Sequence, residues 1–547
     1  MNPNANRLQT SAHATDRRAW PACAAIATTL LALVVLGHEG WRVAQLMALA
    51  APLLAWMLWP VRSPMLHRIR IAAVWSCAMA FAFDAVLRAY LLETYQAAPD
   101  SSFVQAAAAN TNSRETHEYI ATHWRAMLIW SGAIVLAALV VTRSVRHGAR
   151  HEGSWPRGVV AVIVLALLVG AIAHISKPWR RLHPLVFWTH WYDTVHRLRA
   201  AWADQQKERE LALQRARSAA PVVDAQGPST VVLVITDSIN RDNMALYGYG
   251  RATTPRLLAH KARLQDQMVV VRNAWSVDAS TLPSLRNMFS FGQPHSEQPQ
   301  HLLALARAAG YKVWWIGNHD DVAIEQQHAK LADVVDIVNR VPGRGSTSLD
   351  GELLDCVQEA LEDTTERKLI VVHLMGAHPH YSLRFPAGEN PFDDRVDKVD
   401  EGLEKSGRSA WVRESRQDYD AAMLYHDFVV SETLQLTRRI GRPNDYRAWM
   451  YLSDHGQEVG HGSNHAGHSP STASGYRIPA IIWRNSPDRP FGAGTGGRPF
   501  RADWAGWTIA DLLHLRWQHD GGARNVLSAD YRWEPPALPV QVDSFVR

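Results

Sequence analysis

The chain has 547 residues, which is long enough for a membrane unit followed by a large globular domain. It is 47% hydrophobic, yet its mean hydropathy is −0.19, so the apolar residues must be concentrated in one part of the chain. The net charge of +5 and the pI near 9.1 favour contact with anionic lipid surfaces. This positive excess is too small to indicate a nucleic-acid-binding protein.

The apolar residues are concentrated at the start of the chain. A bilayer core is spanned by roughly 17 to 25 apolar residues, and five largely uncharged runs have about this length: 19–36, 43–60, 71–92, 127–142 and 158–175. A cleaved signal peptide would explain the first run but not the four that follow. In the third run, Asp84 and Arg88 lie one helical turn apart, so they either pair inside the bundle or lie near its outer end. The sequence therefore predicts a five-helix transmembrane domain over residues 1–175.

Arginines predict the orientation of these helices. They are frequent before the first run, between the second and third, and between the fourth and fifth. The connections on the other side carry only Arg42, Arg114 and Arg125. Because basic residues favour the cytoplasmic side, the amino terminus is predicted to be cytoplasmic, and the odd number of crossings places the rest of the chain outside. The composition suggests a Gram-negative bacterium, so we expect a multi-pass inner-membrane protein whose second half is periplasmic.

Residues 176–228 are predicted to connect the membrane domain to the soluble one. They are rich in Trp and Arg and then become a charged helical stretch. Trp188 and Trp191 suit a membrane interface, and Arg180 and Arg181 suit lipid phosphates. A solvated connecting helix is the alternative interpretation.

Cysteine is scarce in this chain. Cys23 and Cys77 fall in the first and third predicted membrane helices, and Cys356 is the one cysteine outside them. An exported domain with a single cysteine has no internal disulfide, so a sizeable apolar core must hold it together.

From residue 229 onward, short β-branched runs alternate with helical stretches. Strands are predicted at 231–235, 312–316, 369–374, 449–452 and 478–483. Helices are predicted at 255–264, 302–309, 353–361 and 419–440. This alternation indicates an α/β domain over residues 229–547, with a mostly parallel central sheet covered by helices on both faces. Ligands of such folds bind beyond the carboxyl ends of the strands.

Side chains that can bind a metal follow several of these strands. Asp237 directly follows the first strand, and Asp454 and His455 end another. Two carboxylates and an imidazole would give Zn²⁺ three protein ligands and leave one position open, although Asp237 alone would read as a turn or cap residue. His378 follows a further strand and is a functional candidate. His373, inside that strand, is predicted to be a satisfied core histidine.

Two more segments carry chemically useful groups. A glycine-rich loop after His455 holds His461, His465 and His468. Thr281 begins a predicted helix that runs to residue 288. A hydroxyl at a helix start is usually an amino-terminal cap. Alternatively it is a nucleophile, since helix amides stabilise an attached phosphoryl group and a bound Zn²⁺ lowers the hydroxyl pKa.

Together these segments resemble the membrane-bound phosphoethanolamine transferases of the alkaline phosphatase and sulfatase superfamily. The resemblance covers essentially the whole chain. It rests on Val-Leu-Val-Ile-Thr-Asp-Ser-Ile-Asn-Arg at 232–241, His-Leu-Met-Gly-Ala-His at 373–378, Ser-Asp-His-Gly at 453–456 and Tyr-Arg-Ile-Pro-Ala-Ile-Ile-Trp at 476–483.

The resemblance implies a zinc-dependent phosphotransferase with Thr281 as its nucleophile. One tightly bound Zn²⁺ would have four ligands: Asp237, Thr281, Asp454 and His455. His378 and His468 would hold the transferred phosphate or a second zinc, with His465 as the next candidate and His461 as a bystander. The implied donor is phosphatidylethanolamine, and the implied acceptor is an envelope glycan or glycolipid such as lipopolysaccharide. The enzyme is expected to be monomeric and to bind no nucleic acid.

Two positions depart from the pattern of these transferases. Asp237 stands where the family usually has Glu, and Gln457 stands where Glu commonly follows Asp-His-Gly. The second change removes a negative charge near the amine of the donor, which leaves phosphoglycerol transfer as an alternative. A sulfatase is a further alternative, although Thr281 cannot form the aldehyde that sulfatases use. A catalytically inactive envelope scaffold would keep the fold and bind no metal.

Overall fold

The structure is a computed structural model that describes residues 3–61, 63–111, 113–147, 157–203, 205–293, 299–319, 321–340, 348–486, 491–518 and 521–542. The chain forms two compact units. The first comprises Met1–Ala109 and Tyr119–Leu198, and the second comprises Asn110–Glu118 and Arg199–Arg547. The described part of the first unit is helical, whereas every strand in the described residues belongs to the second.

The amino-terminal part of the chain forms a series of helices. They are α1 (Pro3–Gly37), α2 (Trp41–Leu58), α3 (Pro64–Tyr95), α4 (Ser102–Asn110), α5 (Ser113–Val145), α6 (Arg157–Ile175), α7 (Lys177–Arg180) and α8 (Pro184–Ala203). Four are long and apolar enough to cross a membrane, namely α1 over Ala19–Gly37, α2, α3 and α5, and α6 contributes a shorter apolar stretch, Val160–Ile175. The predicted apolar helices are therefore confirmed.

Helix α3 is longer than the apolar run that predicted it. Pro64 occupies its first turn, where a missing N–H costs nothing, and the Ser63 hydroxyl accepts the amide of Leu66. The helix ends at Gln96, which adopts a left-handed conformation with φ 51°. Local capping thus sets the helix ends, whereas hydropathy marks only the segment that crosses the bilayer.

Asp84 and Arg88 pair inside the bundle and also lie near the end where α1 finishes, so both of the alternatives that the sequence left open hold. Asp84 is 2% exposed, and its Oδ1 accepts Arg88 Nε at 3.0 Å. The same oxygen accepts Trp188 Nε1 at 3.0 Å, and Oδ2 accepts His38 Nε2 at 2.9 Å. A buried carboxylate is tolerated when donors surround it, and this one has three.

The second unit is built on an eight-stranded sheet. Its strands are β1 (Ser229–Thr236), β2 (Met268–Trp275), β3 (Lys312–Gly317), β4 (Val334–Ile337), β5 (Arg367–Leu374), β6 (Tyr446–Ser453), β7 (Arg477–Arg484) and β8 (Pro499–Arg501). Their order is β8-β2-β7-β6-β1-β5-β3-β4, and β7 alone runs antiparallel to its neighbours within this sheet. The five predicted strands are confirmed, and the sequence reading missed β2, β4 and β8.

Helices cover both faces of this sheet. They are α9 (Gln206–Ser218), α10 (Pro255–Leu264), α11 (Thr281–Phe289), α12 (Leu302–Ala308), α13 (Val322–Gln327), α14 (Leu353–Glu362), α15 (Lys398–Lys405), α16 (Ala410–Arg439) and α17 (Ala505–Leu512). Along β1, Leu233 packs with α11, α12 and α17, while Val232 and Val234 pack with α10, α14 and α16. Burial on both faces explains the continuous apolar strands, as predicted.

The strand directions bring five loops to one edge of the sheet. β3, β5 and β6 are parallel to β1 or to its neighbour, so their carboxyl ends lie together. β2 is antiparallel to β7, which is itself antiparallel to β6, so β2 also ends at this edge. The segments that begin at Asp237, Ser276, Asn318, Met375 and Asp454 therefore leave the sheet side by side.

Candidate metal and phosphoryl-transfer site

Asp237, Asp454 and His455 form a buried cluster at this edge. All three are 0% exposed, and each offers a ligand atom within 4.8 Å of the others. His455 Nε2 lies 3.6 Å from Asp237 Oδ1 and 3.6 Å from Asp454 Oδ2. The structure thus brings together the three residues that the sequence proposed as metal ligands.

The backbone holds Asp454 by one carboxylate oxygen. Its Oδ1 accepts the amide of His455 at 2.6 Å and the amide of Ser238 at 3.2 Å. Ser238 has φ 63°, a left-handed conformation that is unusual outside glycine and turns its amide at the end of β1. Asp454 Oδ2 is buried and has no hydrogen-bond partner among the described residues. A buried oxygen without a partner is costly, and a cation would satisfy it.

The tautomer of His455 suits metal binding. Its Nδ1 lies 2.7 Å from the carbonyl oxygen of Gly456. Because a carbonyl can only accept, Nδ1 carries a proton, which leaves Nε2 as the nitrogen that would bind a metal beside the carboxylates. Gly456 itself is required by close packing, since a Cβ at this position would lie 2.2 Å from the carbonyl oxygen of Ser474.

Thr281 directs its hydroxyl into the cluster. Its Oγ1 donates to Asp237 Oδ2 at 2.9 Å and lies 3.4 Å from His455 Nε2. Thr281 is the first residue of α11, and the residue at the cap position is Ser280. The interpretation of Thr281 as an amino-terminal cap is therefore wrong, because its hydroxyl bonds the Asp237 carboxylate instead of a helix amide.

The loop after β5 is tied against Asp237. The Asp350 carboxylate accepts the amides of Met375 and Gly376, at 2.9 and 2.8 Å. The amide of Ala377 donates to the carbonyl oxygen of Asp237 at 3.1 Å. Gly376 has φ 56°, and a Cβ there would lie 2.6 Å from that carbonyl oxygen. Only glycine fits this approach, which carries the chain on to His378.

The three histidines of the loop after His455 differ in their contacts. The ring centroid of His468 lies 4.7 Å from the ring centroid of His455 and 6.1 Å from that of His378. His465 Nε2 instead lies 3.2 Å from the carbonyl oxygen of His468, so it contacts the backbone that carries His468. His461 Nε2 bonds Asn243 Oδ1 at 2.7 Å. Their roles toward a substrate stay predictions.

Sequence reasoning missed His319, which follows β3. Its Nε2 lies 3.8 Å from Asp237 Oδ2, and its Nδ1 lies 3.3 Å from Asp321 Oδ2. The ring stacks on His373 at a centroid distance of 4.2 Å. The signal was available, because His319 stands just beyond a predicted strand, as do Asp237 and His378.

His373 lies inside β5 as predicted, and it is fully buried. Neither of its ring nitrogens has a hydrogen-bond partner among the described residues. The prediction of a satisfied core histidine is therefore wrong. Burial lowers the pKa of His373 well below its usual range, so the ring is neutral beside His319.

The two carboxyl groups of the cluster respond differently to burial. Burial raises the pKa of Asp237, but the cluster of imidazoles around it outweighs burial and holds that pKa well below the usual range. Burial and the charge of Asp237 together raise the pKa of Asp454 to about 7. Adjacent buried carboxylates resist joint ionisation unless a cation lies beside them, so this electrostatic setting fits a metal site.

The surrounding imidazoles also differ in charge. Burial lowers the pKa of His468 to about 3 and that of His378 well below its usual range. For His319, burial acts in the same direction, but the hydrogen bond to Asp321 and the charge of Asp237 raise the pKa to about 9. The site therefore combines the neutral imidazoles of His378 and His468 with the cationic imidazole of His319 beside Asp237.

Comparison with known proteins shows the family to which this chain belongs. Residues 229–503 match the family described as Sulfatase. The phosphoethanolamine transferase EptC of Escherichia coli strain K12 is 29% identical over 442 residues, covering 74% of this chain and 72% of the relative. The crystal structure of the periplasmic domain of E. coli EptC, in complex with Zn, is 27% identical with a TM-score of 0.53 and covers 60% of this chain and 94% of that one.

The integral membrane lipooligosaccharide phosphoethanolamine transferase A of Neisseria meningitidis shares the fold of both units. It has a TM-score of 0.58 at 18% identity and covers 94% of this chain and 98% of that one. The apolar helices of the first unit indicate a membrane protein, and the α/β domain forms a separate compact unit. The predicted fold and the resemblance to the phosphoethanolamine transferases are confirmed, and the chain belongs to the sulfatase family.

Proposed function

We propose that this protein transfers phosphoethanolamine from phosphatidylethanolamine to an envelope glycan or lipopolysaccharide acceptor, through a phosphothreonine at Thr281. The observation that carries the proposal is the Thr281 hydroxyl, which lies 2.9 Å from Asp237 Oδ2 and 3.4 Å from His455 Nε2. The similarity of the chain to the phosphoethanolamine transferase EptC supports phosphoethanolamine as the transferred group. The arginine distribution supports the periplasmic side of a bacterial inner membrane as the location of the proposed reaction.

One Zn²⁺ is the proposed cofactor. Two carboxylates, an imidazole and a hydroxyl form a donor set that zinc accepts, and Asp454 Oδ2 has no other partner among the described residues. The Zn complex of the EptC domain supports the choice of metal. When bound, the ion would lower the pKa of the Thr281 hydroxyl and offset negative charge at the phosphorus. A second ion at His378 and His468 is the alternative to direct phosphate contact by these rings.

In the first step, Thr281 Oγ1 attacks the phosphorus of the donor lipid. Asp237 Oδ2 accepts the hydroxyl hydrogen bond and so orients the oxygen for attack. The bond from phosphorus to the glycerol oxygen breaks, and diacylglycerol leaves with the proton that Thr281 gives up. The phosphoryl group then sits at the start of α11, where the first helix amides favour an anion.

In the second step, a hydroxyl or phosphate oxygen of the acceptor attacks the same phosphorus. The bond from phosphorus to Thr281 Oγ1 breaks, and Oγ1 takes up the proton that the acceptor gives up. His378 and His468 lie close to the cluster as neutral rings, so each can donate one N–H to a phosphoryl oxygen. Neutral donors bind the phosphoryl group without the strong attraction of a full charge, which favours its release to the acceptor.

The test is direct trapping of the intermediate. Full-length protein in detergent is mixed with phosphatidylethanolamine and quenched, and the peptide containing residue 281 is weighed by mass spectrometry. Thr281→Ala should lose both the adduct and acceptor modification. Ser280→Ala is the matched control, because that hydroxyl bonds Asp278 Oδ1 at 2.7 Å and not the cluster. Normal acceptor modification by Thr281→Ala would refute the proposal.

Phosphoglycerol transfer is the second candidate, favoured by Gln457. This residue is 0% exposed, and its amide donates to the Tyr381 hydroxyl at 2.7 Å. It places no negative charge where a donor amine would need one. The mass added to the residue 281 peptide distinguishes the two donors when phosphatidylethanolamine and phosphatidylglycerol are supplied separately.

A further inference from the structure

The membrane unit contains a cavity of about 280 Å³ at the end of the bundle where α1 and α3 finish and α2 begins. Three arginines, two histidines and one carboxylate line it: Arg42, Arg88, Arg181, His38, His190 and Asp100. The remaining wall is largely aliphatic and aromatic and includes Phe187 and Trp191. The lining of the cavity thus combines positively charged side chains with apolar ones.

Arg88 is built into this wall and does not merely border it. It is 6% exposed, its Nε donates to Asp84, and its guanidinium lies 4.1 Å from the centre of the Phe187 ring. Asp100 approaches Arg88 Nη1 only to 3.6 Å, beyond hydrogen-bond distance. Among the described residues, the terminal nitrogens of Arg88 make no hydrogen bond. These N–H donors face the cavity, where an acceptor from a ligand could pair with them.

The neighbouring groups keep Arg88 in place without neutralising the cavity. Asp84 accepts hydrogen bonds from Arg88, His38 and Trp188, so it fixes the position of the guanidinium group. Arg42 and Arg181 form no ion pair within the described part of the chain. Asp84 pairs with Arg88, and Asp100 is the one carboxylate in the cavity lining, so Arg42 and Arg181 leave an excess of positive charge for an anion.

We propose that this cavity binds the phosphodiester headgroup of a membrane phospholipid. Arginine is the side chain best matched to phosphate oxygens, since its planar fork donates in pairs. The volume is slightly below the range of roughly 300 to 1,000 Å³ for small-molecule pockets, so it suits a headgroup and not a whole lipid. Trp191, whose indole donates to the carbonyl oxygen of Pro99 at 2.8 Å, provides the amphipathic ring typical of the bilayer interface. The acyl chains would then continue along the apolar helix faces.

The experiment compares lipid retention by variants of the full-length protein. Arg42→Gln with Arg181→Gln removes two exposed charges from the cavity wall and leaves the Asp84–Arg88 pair intact. Arg180→Gln is the matched control, because Arg180 is also exposed and adjacent in sequence but does not line the cavity. All variants carry Thr281→Ala, so binding is measured without turnover and does not depend on the proposed catalysis. Native mass spectrometry counts lipids retained after transfer from phosphatidylethanolamine or phosphatidylglycerol micelles.

The parent and Arg180→Gln proteins should retain lipid equally, and the double variant should bind at least about tenfold more weakly, since each charge-assisted hydrogen bond contributes strongly. Retention of one lipid over the other would identify the source of the phosphodiester, and either preference supports the site. Equal retention by the double variant would overturn the proposal. Displacement of the lipid by inorganic phosphate at an equal concentration would also overturn it, because the cavity would then be a site for the free anion.

Discussion

Each unit of this molecule buries an acidic residue, but the two are satisfied in opposite ways. In the membrane unit, Asp84 receives hydrogen bonds from Arg88, His38 and Trp188. In the soluble unit, Asp454 has one oxygen held by backbone amides and the other without a partner, beside a second carboxylate. The hydrogen bonds of Asp84 come entirely from protein groups, whereas the unpartnered oxygen of Asp454 would be satisfied by a cation. Burial alone therefore does not mark a functional acid, but the distribution of its partners does.

Removing the carboxylate charge at Asp454 should have the largest effect on chemistry. We expect Asp454→Asn to lose zinc and to transfer at least about a thousandfold more slowly, since a catalytic metal supplies several kcal/mol of charge stabilisation. Metal analysis of the purified protein and a transfer assay measure both. Asp445→Asn is the control, because Asp445 precedes the same strand at the opposite edge of the sheet and should keep metal and activity. Full zinc content in Asp454→Asn would refute its role as a ligand.

Removing Asp84 should instead affect stability. Asp84→Ala leaves Arg88 and His38 buried without their acceptor, which we expect to cost roughly 3 to 5 kcal/mol. Asp193→Ala is the control, since Asp193 pairs with Arg197 on the surface at 3.1 Å and should contribute no more than about 1 kcal/mol. Thermal unfolding in detergent compares the variants, and the folded fraction of Asp84→Ala should still bind zinc. Equal melting temperatures for both variants would contradict the comparison.

The smallest effect concerns the loop that approaches Asp237. Gly376 and Gly388 both have positive φ, at 56° and 81°, but a Cβ at Gly388 would meet nothing within 4 Å. Gly388→Ala should therefore cost about 1 kcal/mol of backbone strain. Gly376→Ala adds a clash with the Asp237 carbonyl oxygen, worth about 1 to 3 kcal/mol more, and should also slow transfer by displacing His378. Denaturant unfolding and the transfer assay check that Gly376→Ala loses more stability and activity than Gly388→Ala. Identical unfolding curves for the two variants would disprove this.

The elements that could be predicted were those whose evidence is local. β1, β3, β5, β6 and β7 are buried apolar runs, and Asp237, His378 and Asp454 stand at their ends. Fold and candidate ligands follow from this pattern alone. Thr281 needed the family resemblance, because from the residues a cap was the simpler interpretation.

The elements that escaped prediction depend on pairing between distant segments. β2 contains an exposed Arg272 and a buried Asn273, so its apolar pattern is broken, and its place between β8 and β7 is a tertiary fact. β4 is only partly buried and lies at the edge of the sheet. Likewise, the i,i+4 spacing suggested the Asp84–Arg88 pair. No local pattern predicts that His38 and Trp188 bond Asp84, because they lie 46 and 104 residues from it in sequence.

The register between β1 and β6 has a consequence for how the molecule matures. Ser238 and Asp454 meet although 216 residues separate them, so the site depends on one of the longest loop closures in the soluble unit. Contacts of such sequence separation form late in folding, because their entropic cost is repaid only when the intervening elements have packed. A nascent chain that has been exported only as far as the loop after β5 would hold Asp237, Thr281 and His378 but would lack Asp454 and His455 of the candidate metal site. Metal uptake would therefore report that β6 has paired with β1.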